Sequence, residues 1–403
     1  MKKIMKWSAM LLAGLPVWPA GAAAQETDEM FENRVDPTHV FPQVNRTKYG
    51  SNMSMLAVVT RDGTTLSEVS ENTIVAVFSG DEIRGKDIIY ADQDNMAFVT
   101  IYGESTETLT FKVYWDGVVY DCGGSATFAS DGFIGATDSP YELDISPVSL
   151  ADNASNSETL TTWNTKTRDV VLTDRTLYKD GSWNTLCLPF SLSAEQIAAD
   201  TDFAAATVME LDVTEKNGFD TTDGTLYLHF KTATAIEAGV PYLVKWEKAA
   251  DYASGEAGHD ISNPVFGGVT ISSTAAQAVE STTTGLETVQ MVGTYSPVSV
   301  TADDKSILFM GDANTLYYSS IDRQLRSCRA YFSIPYIKNH AGAKVRAFRL
   351  NFDGVETTGI LEVPRDPDEI KDDAWYTPDG VRLKGKPAWS GIYIHEGKKT
   401  FVK

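Results

Sequence analysis

Seven Asp-Gly pairs constrain this chain more than any other feature. They begin at Asp62, Asp116, Asp131, Asp180, Asp223, Asp353 and Asp379, and Asn217-Gly218 adds an eighth pair of the same kind. Such dipeptides supply the positive φ that tight hairpins need, and most stand between short runs of β-branched, aromatic or apolar residues. The clearest strand is 109–115, whose odd positions are apolar and whose even ones are mostly polar, so one face packs a core and the other meets water. Asp116-Gly117 then turns it back into 118–120. Residues 53–60, 74–78 and 96–102 complete a set of strands at sandwich-like spacing.

Further strands are predicted at 170–172, 185–190, 208–213, 226–232, 240–246, 307–310, 316–318, 330–334 and 346–352. One helix stands out. It starts at Ser193, whose hydroxyl caps the first turn while Gln196 reaches back as the capping-box partner. The fold class expected is therefore all-β, with tandem β-sandwich-like domains and a small C-terminal β meander.

The domains follow from composition shifts. Lys2, Lys3 and Lys6 precede an apolar run from Trp7 to Trp18, and Ala22-Ala23-Ala24 follows, so 1–24 reads as a secretory signal peptide. An N-terminal extension covers 25–44 and a β-sandwich 45–150. A small, polar, unpatterned stretch at 151–161 reads as a linker. A larger β domain spans 162–360, an acidic linker with two prolines 361–373, and the terminal β segment 374–403.

Removal of the leader takes away three lysines and no acid, leaving 31 Lys+Arg against 55 Asp+Glu. That field repels nucleic acid and anionic membrane surfaces, so neither is expected as a partner. No other apolar run is long enough to cross a membrane, so no insertion is expected after leader removal. Cys122, Cys187 and Cys328 are too few for a disulfide framework. They read as small buried thiols, with a Cys187–Cys328 bridge as the alternative. No Cys/His spacing suits zinc, so no metal and no cofactor are expected.

The C-terminal run places Tyr376, Gly380 and Leu383 before Gly391-Ile392-Tyr393-Ile394, then Gly397-Lys398-Lys399 and a terminal Val402-Lys403. It resembles the short C-terminal segment of many exported Bacteroidota-type proteins and is similar in outline to the sorting domain read by the type IX secretion system. Met53 to Tyr114, with the run from Phe78 to Gly85 and Thr100-Ile101-Tyr102-Gly103, resembles a β-sandwich module of surface proteins from the same bacteria. The run from Trp183 to Phe190 is similar to part of their larger C-terminal β regions. The resemblance implies a cell-surface or extracellular location, with the periplasm as an alternative, and implies no chemistry.

The five histidines accompany no nucleophile elbow and no zinc-protease helix. The sharpest polar cluster is Gly80-Asp81-Glu82-Ile83-Arg84-Gly85. Read as a site, Asp81 and Glu82 hold a cation or sugar hydroxyls while Arg84 orients the ligand; read structurally, it is a turn held by an Asp81 bond and an Arg84 ion pair. Among Trp115, Trp163, Trp183, Trp246, Tyr317 and Tyr318, a sugar-stacking platform is best sought at Trp163, which stands in a polar, loop-like context. The acidic run 366–373 lacks the glycine and terminal glutamate of an EF-hand loop. Asp220-Thr221-Thr222 fits a short O-glycosylation pattern and carries little weight. The expected function is non-catalytic binding or adhesion at the cell surface, contacting glycans or host or envelope proteins. The alternatives are a secreted polysaccharide hydrolase with a carboxylate pair and an envelope component assembling through edge strands.

Overall fold

The computed structural model describes residues 36, 39–66, 73–104, 106–254, 256, 258–311, 314–360, 375–376, 383, 387, 390–395 and 398–402. The expected leader 1–24, the expected acidic linker 361–373, Asp379-Gly380 and the expected turn at Glu396-Gly397 lie outside the described residues. The fold is all-β, and helices among the described residues are short: Ser157–Thr162, Ala194–Ala199 and Pro335–Asn339, with a 3₁₀ turn at Ala91–Gln93. None is long and apolar enough to cross a membrane. The chain forms two compact units. The first runs to Val148 and includes the later segments Lys166–Val170 and Gly267–Thr270; the second comprises Ser149–Thr165, Val171–Phe266 and the chain from Ile271 onward.

The first unit is built from β1 (Ser51–Arg61), β2 (Thr64–Thr65), β3 (Ile74–Ser79), β4 (Glu82–Tyr90), β5 (Met96–Gly103), β6 (Thr108–Trp115), β7 (Val118–Asp121), β8 (Ala126–Thr127), β9 (Phe133–Ile134) and β10 (Tyr141–Asp144). The strand order is β10-β1-β5-β4-β3-β6-β7. β4 follows β3 along its length and meets β5 only through Ile89–Ala97 and Tyr90–Met96, so it carries the chain from one sheet to the other. The sheets close on a shared core, with Met53, Met55, Ala57 and Val59 of β1 and Val99 and Ile101 of β5 clustering with Val75 and Val77 of β3 and Leu109, Phe111 and Val113 of β6. Period-two alternation in β1, β5 and β6 produces this arrangement.

β3 departs from alternation: Ile74, Val75, Ala76, Val77 and Phe78 are all buried. Its second face, Ile74, Ala76 and Phe78, packs with Ile83 and Phe41. Part of the expected N-terminal extension is thus folded onto the sandwich, and the continuous apolar run is the sequence trace of a strand covered on both faces.

In the second unit one sheet orders Asn184–Cys187, Pro241–Lys245, Thr207–Leu211, Thr225–Thr232, Ala347–Phe352 and Val355–Ile360 as neighbours. Another orders Ala278–Ser281, Val289–Thr294, Arg329–Ser333, Ile307–Gly311 and Thr315–Tyr317. Leu226, Leu228, Phe230, Leu350 and Phe352 from the first meet Met291, Leu308, Ala330 and Phe332 from the second in one core. Three short strands, Trp375–Tyr376, Gly391–His395 and Lys398–Val402, form the expected C-terminal meander.

Three of the Asp-Gly pairs make the two-residue hairpins their chemistry demands. Asp62-Gly63, Asp116-Gly117 and Asp353-Gly354 have positive φ at both positions and join paired strands. Asn217-Gly218 does something else. Asn217 is fully buried, its amide donating to the Asp212 carbonyl (2.6 Å) and the Ser281 hydroxyl (3.1 Å) while accepting from His229 N–H (2.6 Å). It serves as an internal hydrogen-bonding hub and not as a turn tip.

The stretch 151–161 is not an exposed linker. Asp152 and Asn156 are buried, and the helix Ser157–Thr162 buries Leu160. Asn156 bonds both backbone groups of Ala151 (2.8 and 3.0 Å) and the Tyr295 carbonyl (3.0 Å). Polar residues pack here because their hydrogen bonds are satisfied inside, which composition does not reveal.

Candidate functional site

A cleft of about 740 Å³ lies wholly in the second unit. One wall is the loop from Tyr178 to Trp183. Asn184 locks it, accepting from Tyr178 N–H (2.9 Å) and donating to the Tyr178 carbonyl (2.8 Å), and Asp180 accepts from Ser182 N–H (2.8 Å) around Gly181 at φ 86°. The opposite wall is the hairpin of Ile307–Gly311 and Thr315–Tyr317, joined by Gln324, Leu325 and Ala330. Gly311 has a steric role: a Cβ there would stand 2.7 Å from the Tyr317 ring, so only glycine lets that ring lie across the hairpin. Tyr317 packs on Phe309 with centroids 5.6 Å apart.

Four of the chain's thirteen arginines line this cleft: Arg175, Arg323, Arg326 and Arg329. Arg329 and Arg326 share the buried Asp152 carboxylate, the first donating to both oxygens at 2.9 Å and the second at 3.0 Å. Burial lowers the Arg329 pKa and Asp152 opposes that shift. Arg323 is exposed and lies 5.9 Å from the ring centroids of both Phe309 and Tyr317. Arg175 is only 2 % exposed; its Nη2 donates to the Thr185 carbonyl (2.8 Å), and its Nε and Nη1 find no partner among the described residues. Trp183, 6 % exposed and stacked on Phe352 at 5.1 Å, likewise has an unpartnered Nε1–H. Tyr178, 49 % exposed, offers its ring to solvent.

The ligand-binding residues expected from the sequence, Asp81, Glu82, Arg84 and Trp163, lie elsewhere. Gly80-Asp81 is a two-residue hairpin turn between Ser79 and Glu82, with Gly80 at φ 59°. Glu82 is held by Lys48 at 2.6 Å, and that bond lowers its pKa. Arg84 is not at the loop tip. The pairing register shifts between Val77 and Phe78, which leaves Arg84 as the extra residue of a β-bulge. Its side chain is buried, pairs with Glu107 and lies 4.1 Å from the Tyr49 ring centroid. Gly85 is in the strand and not a turn residue; a Cβ there would stand 2.3 Å from the Thr100 carbonyl oxygen. Trp163 is half-buried, closing the helix Ser157–Thr162 with its N–H on the Thr159 carbonyl (3.0 Å). Trp246 and Tyr318 belong to the interior. Of the aromatic platform candidates, Trp183 and Tyr317 are the two that line the cleft.

Among the described residues no group of His, Cys, Asp and Glu is placed to hold a metal ion. Cys122, Cys187 and Cys328 are all buried free thiols. Burial pushes Cys122 and Cys328 up to about 12, and Cys187 in the same direction.

Comparison with family models, curated proteins and solved structures yields no match to this chain. The cleft must therefore be read from its own chemistry. A signal for it was present in the sequence: Arg323, Arg326 and Arg329 recur at intervals of three in a chain with a formal net charge of −21.

Proposed function

We propose that this chain is an exported, non-catalytic binding protein that holds a saccharide in the cleft of its second unit. The observation that carries the reading is the cleft's composition. Exposed Tyr178 and half-buried Tyr317 present ring faces beside guanidinium, amide and hydroxyl groups, within a volume that suits a few sugar residues. Sugars offer one apolar face to an aromatic ring and hydroxyls to polar neighbours, and this cleft provides both. The positively charged leader with its small-residue cleavage site supports export, and the C-terminal segment's likeness to a sorting domain supports a surface location.

A glycan-array screen of the exported chain tests the reading, alongside Tyr178→Ala and Tyr317→Ala. Saturable binding to one glycan class that both substitutions weaken supports it; silence from folded protein sinks it. The catalytic alternative has a specific place to act, because Asp174 and Asp180 line the same cleft. Release of shortened sugars from a bound oligosaccharide, lost in Asp180→Asn, would replace the binding reading with a hydrolytic one.

A further inference from the structure

The cleft is cationic in a protein that is otherwise strongly acidic. Its lining carries Arg175, Arg323, Arg326 and Arg329 against Asp174 and Asp180, and Asp152 supplies one carboxylate for two of the guanidinium groups. Arg175 is the decisive residue. A guanidinium taken out of water is costly unless an anion or several acceptors replace its hydration, and Arg175 has one carbonyl partner for five N–H donors. The Trp183 indole N–H is a second buried donor without an acceptor, on a side chain lining the same cleft.

From these groups we infer that the cleft is a carboxylate site, and that the saccharide it takes is an acidic one of the uronate class, its carboxylate seated against Arg175 and Trp183. The inference rests on the saccharide reading above. A uronate carries its carboxylate directly on the pyranose ring, so the charge and the face that stacks on an aromatic travel together. The wall offers the same pairing, with Arg323 set against Tyr317 and Phe309. Planar, forked guanidinium groups match carboxylate geometry bidentately, which lysine does not. Long-range attraction to such a ligand is weak because the whole chain is negative. Recognition is therefore short-ranged, within the roughly 8 Å over which charge acts at physiological salt.

The test is calorimetric titration of the full chain with tetragalacturonate, its methyl ester, a neutral cello-oligosaccharide, a sulfated carrageenan tetrasaccharide, which has no carboxylate, and a glutamate-rich peptide. Tetragalacturonate is expected to bind, with the ester weakened about tenfold or more, because a charge-assisted hydrogen bond is replaced by a neutral one. Arg175→Met is expected to abolish binding while leaving the thermal midpoint of the free protein unchanged or raised, since it removes an uncompensated buried cation. Arg323→Ala, at an exposed position, is expected to weaken binding about tenfold without touching the fold. Equal binding of acid and ester, or binding of the neutral sugar alone, overturns the carboxylate site and leaves the saccharide reading standing. Binding of the sulfated sugar alone also overturns it. Binding of the peptide without any sugar overturns both readings.

Discussion

Lys86 and Asp36 form an ion pair, Nζ to Oδ2 at 2.8 Å, with both side chains wholly buried. The same carboxylate accepts the backbone N–H groups of Val40 and Phe41, each at 3.1 Å, and Lys86 also donates to the Phe41 carbonyl at 3.2 Å. The pair therefore fixes the segment carrying Phe41 over the outer face of β3. A lysine in the middle of a buried strand is tolerated because this segment brings its counter-ion.

Removing either group breaks a buried, charge-assisted hydrogen-bond network. Lys86→Met and Asp36→Asn are each expected to destabilise the first unit by about 3–5 kcal/mol. The double substitution is expected to cost less than the sum of the two single losses, because the two groups share one network. Urea unfolding of the three variants checks this; strictly additive losses would show that the two groups act independently.

The buried thiols make a prediction about alkaline pH. Cys122 and Cys328 rise from 9.0 to about 12 in the folded chain, with desolvation as the first cause. A raised folded pKa means that the folded state holds its proton while the unfolded state releases it. Stability from this source is complete below about pH 9 and is lost as pH climbs toward 12, at up to about 1.4 kcal/mol per pH unit for each thiol. Urea midpoints at about pH 8, 9.5 and 10.5 are expected to fall, and Cys122→Ala to flatten the decline in the first unit. A maleimide probe is expected to label none of the three thiols until the chain unfolds.

Much of the fold was legible because its signals are local. Alternation located β6, short strand-like runs at sandwich-like spacing located β1 and β5, three Asp-Gly pairs located their hairpins, and Ser193 with Gln196 forms the capping box at the start of Ala194–Ala199. What stayed hidden depends on partners far away in sequence. Nothing around Asn156 announces that its amide will meet the Tyr295 carbonyl, and nothing around Arg84 announces a bulge set by the register of β3. The cleft was half legible. Trp183 and Tyr317 were visible as aromatics and the arginine triplet as a charge anomaly, whereas their convergence with Arg175 is a product of the folded sheets.

The bulge makes the polar cluster at residues 80–85 divisible. Asp81→Ala, at an exposed turn position, is expected to change stability by less than about 0.5 kcal/mol and to leave ligand binding untouched. Arg84→Ala is expected to cost about 2 kcal/mol or more, since it strands the Glu107 carboxylate and empties the space beside Tyr49. Thermal midpoints separate the two. A ligand-binding loss in Asp81→Ala with an unchanged midpoint would instead return the function to this loop.

Asp152 sets stability against binding. Its side chain is buried, and it is the carboxylate shared by Arg326 and Arg329 on the wall of the cleft. Asp152→Asn keeps the shape and removes the charge, leaving Arg329 desolvated without a counter-ion. The folded chain is expected to lose about 3 kcal/mol by urea unfolding. The same substitution raises the positive charge facing the cleft by one, so tetragalacturonate affinity is expected to rise by a few-fold, most clearly at low ionic strength where screening is weakest. Lower stability with tighter acid binding is a combination that mere damage to the fold does not produce. Weaker binding in this variant would mean that Asp152 holds the two arginines in the geometry the ligand needs, and that positioning outweighs charge in this cleft.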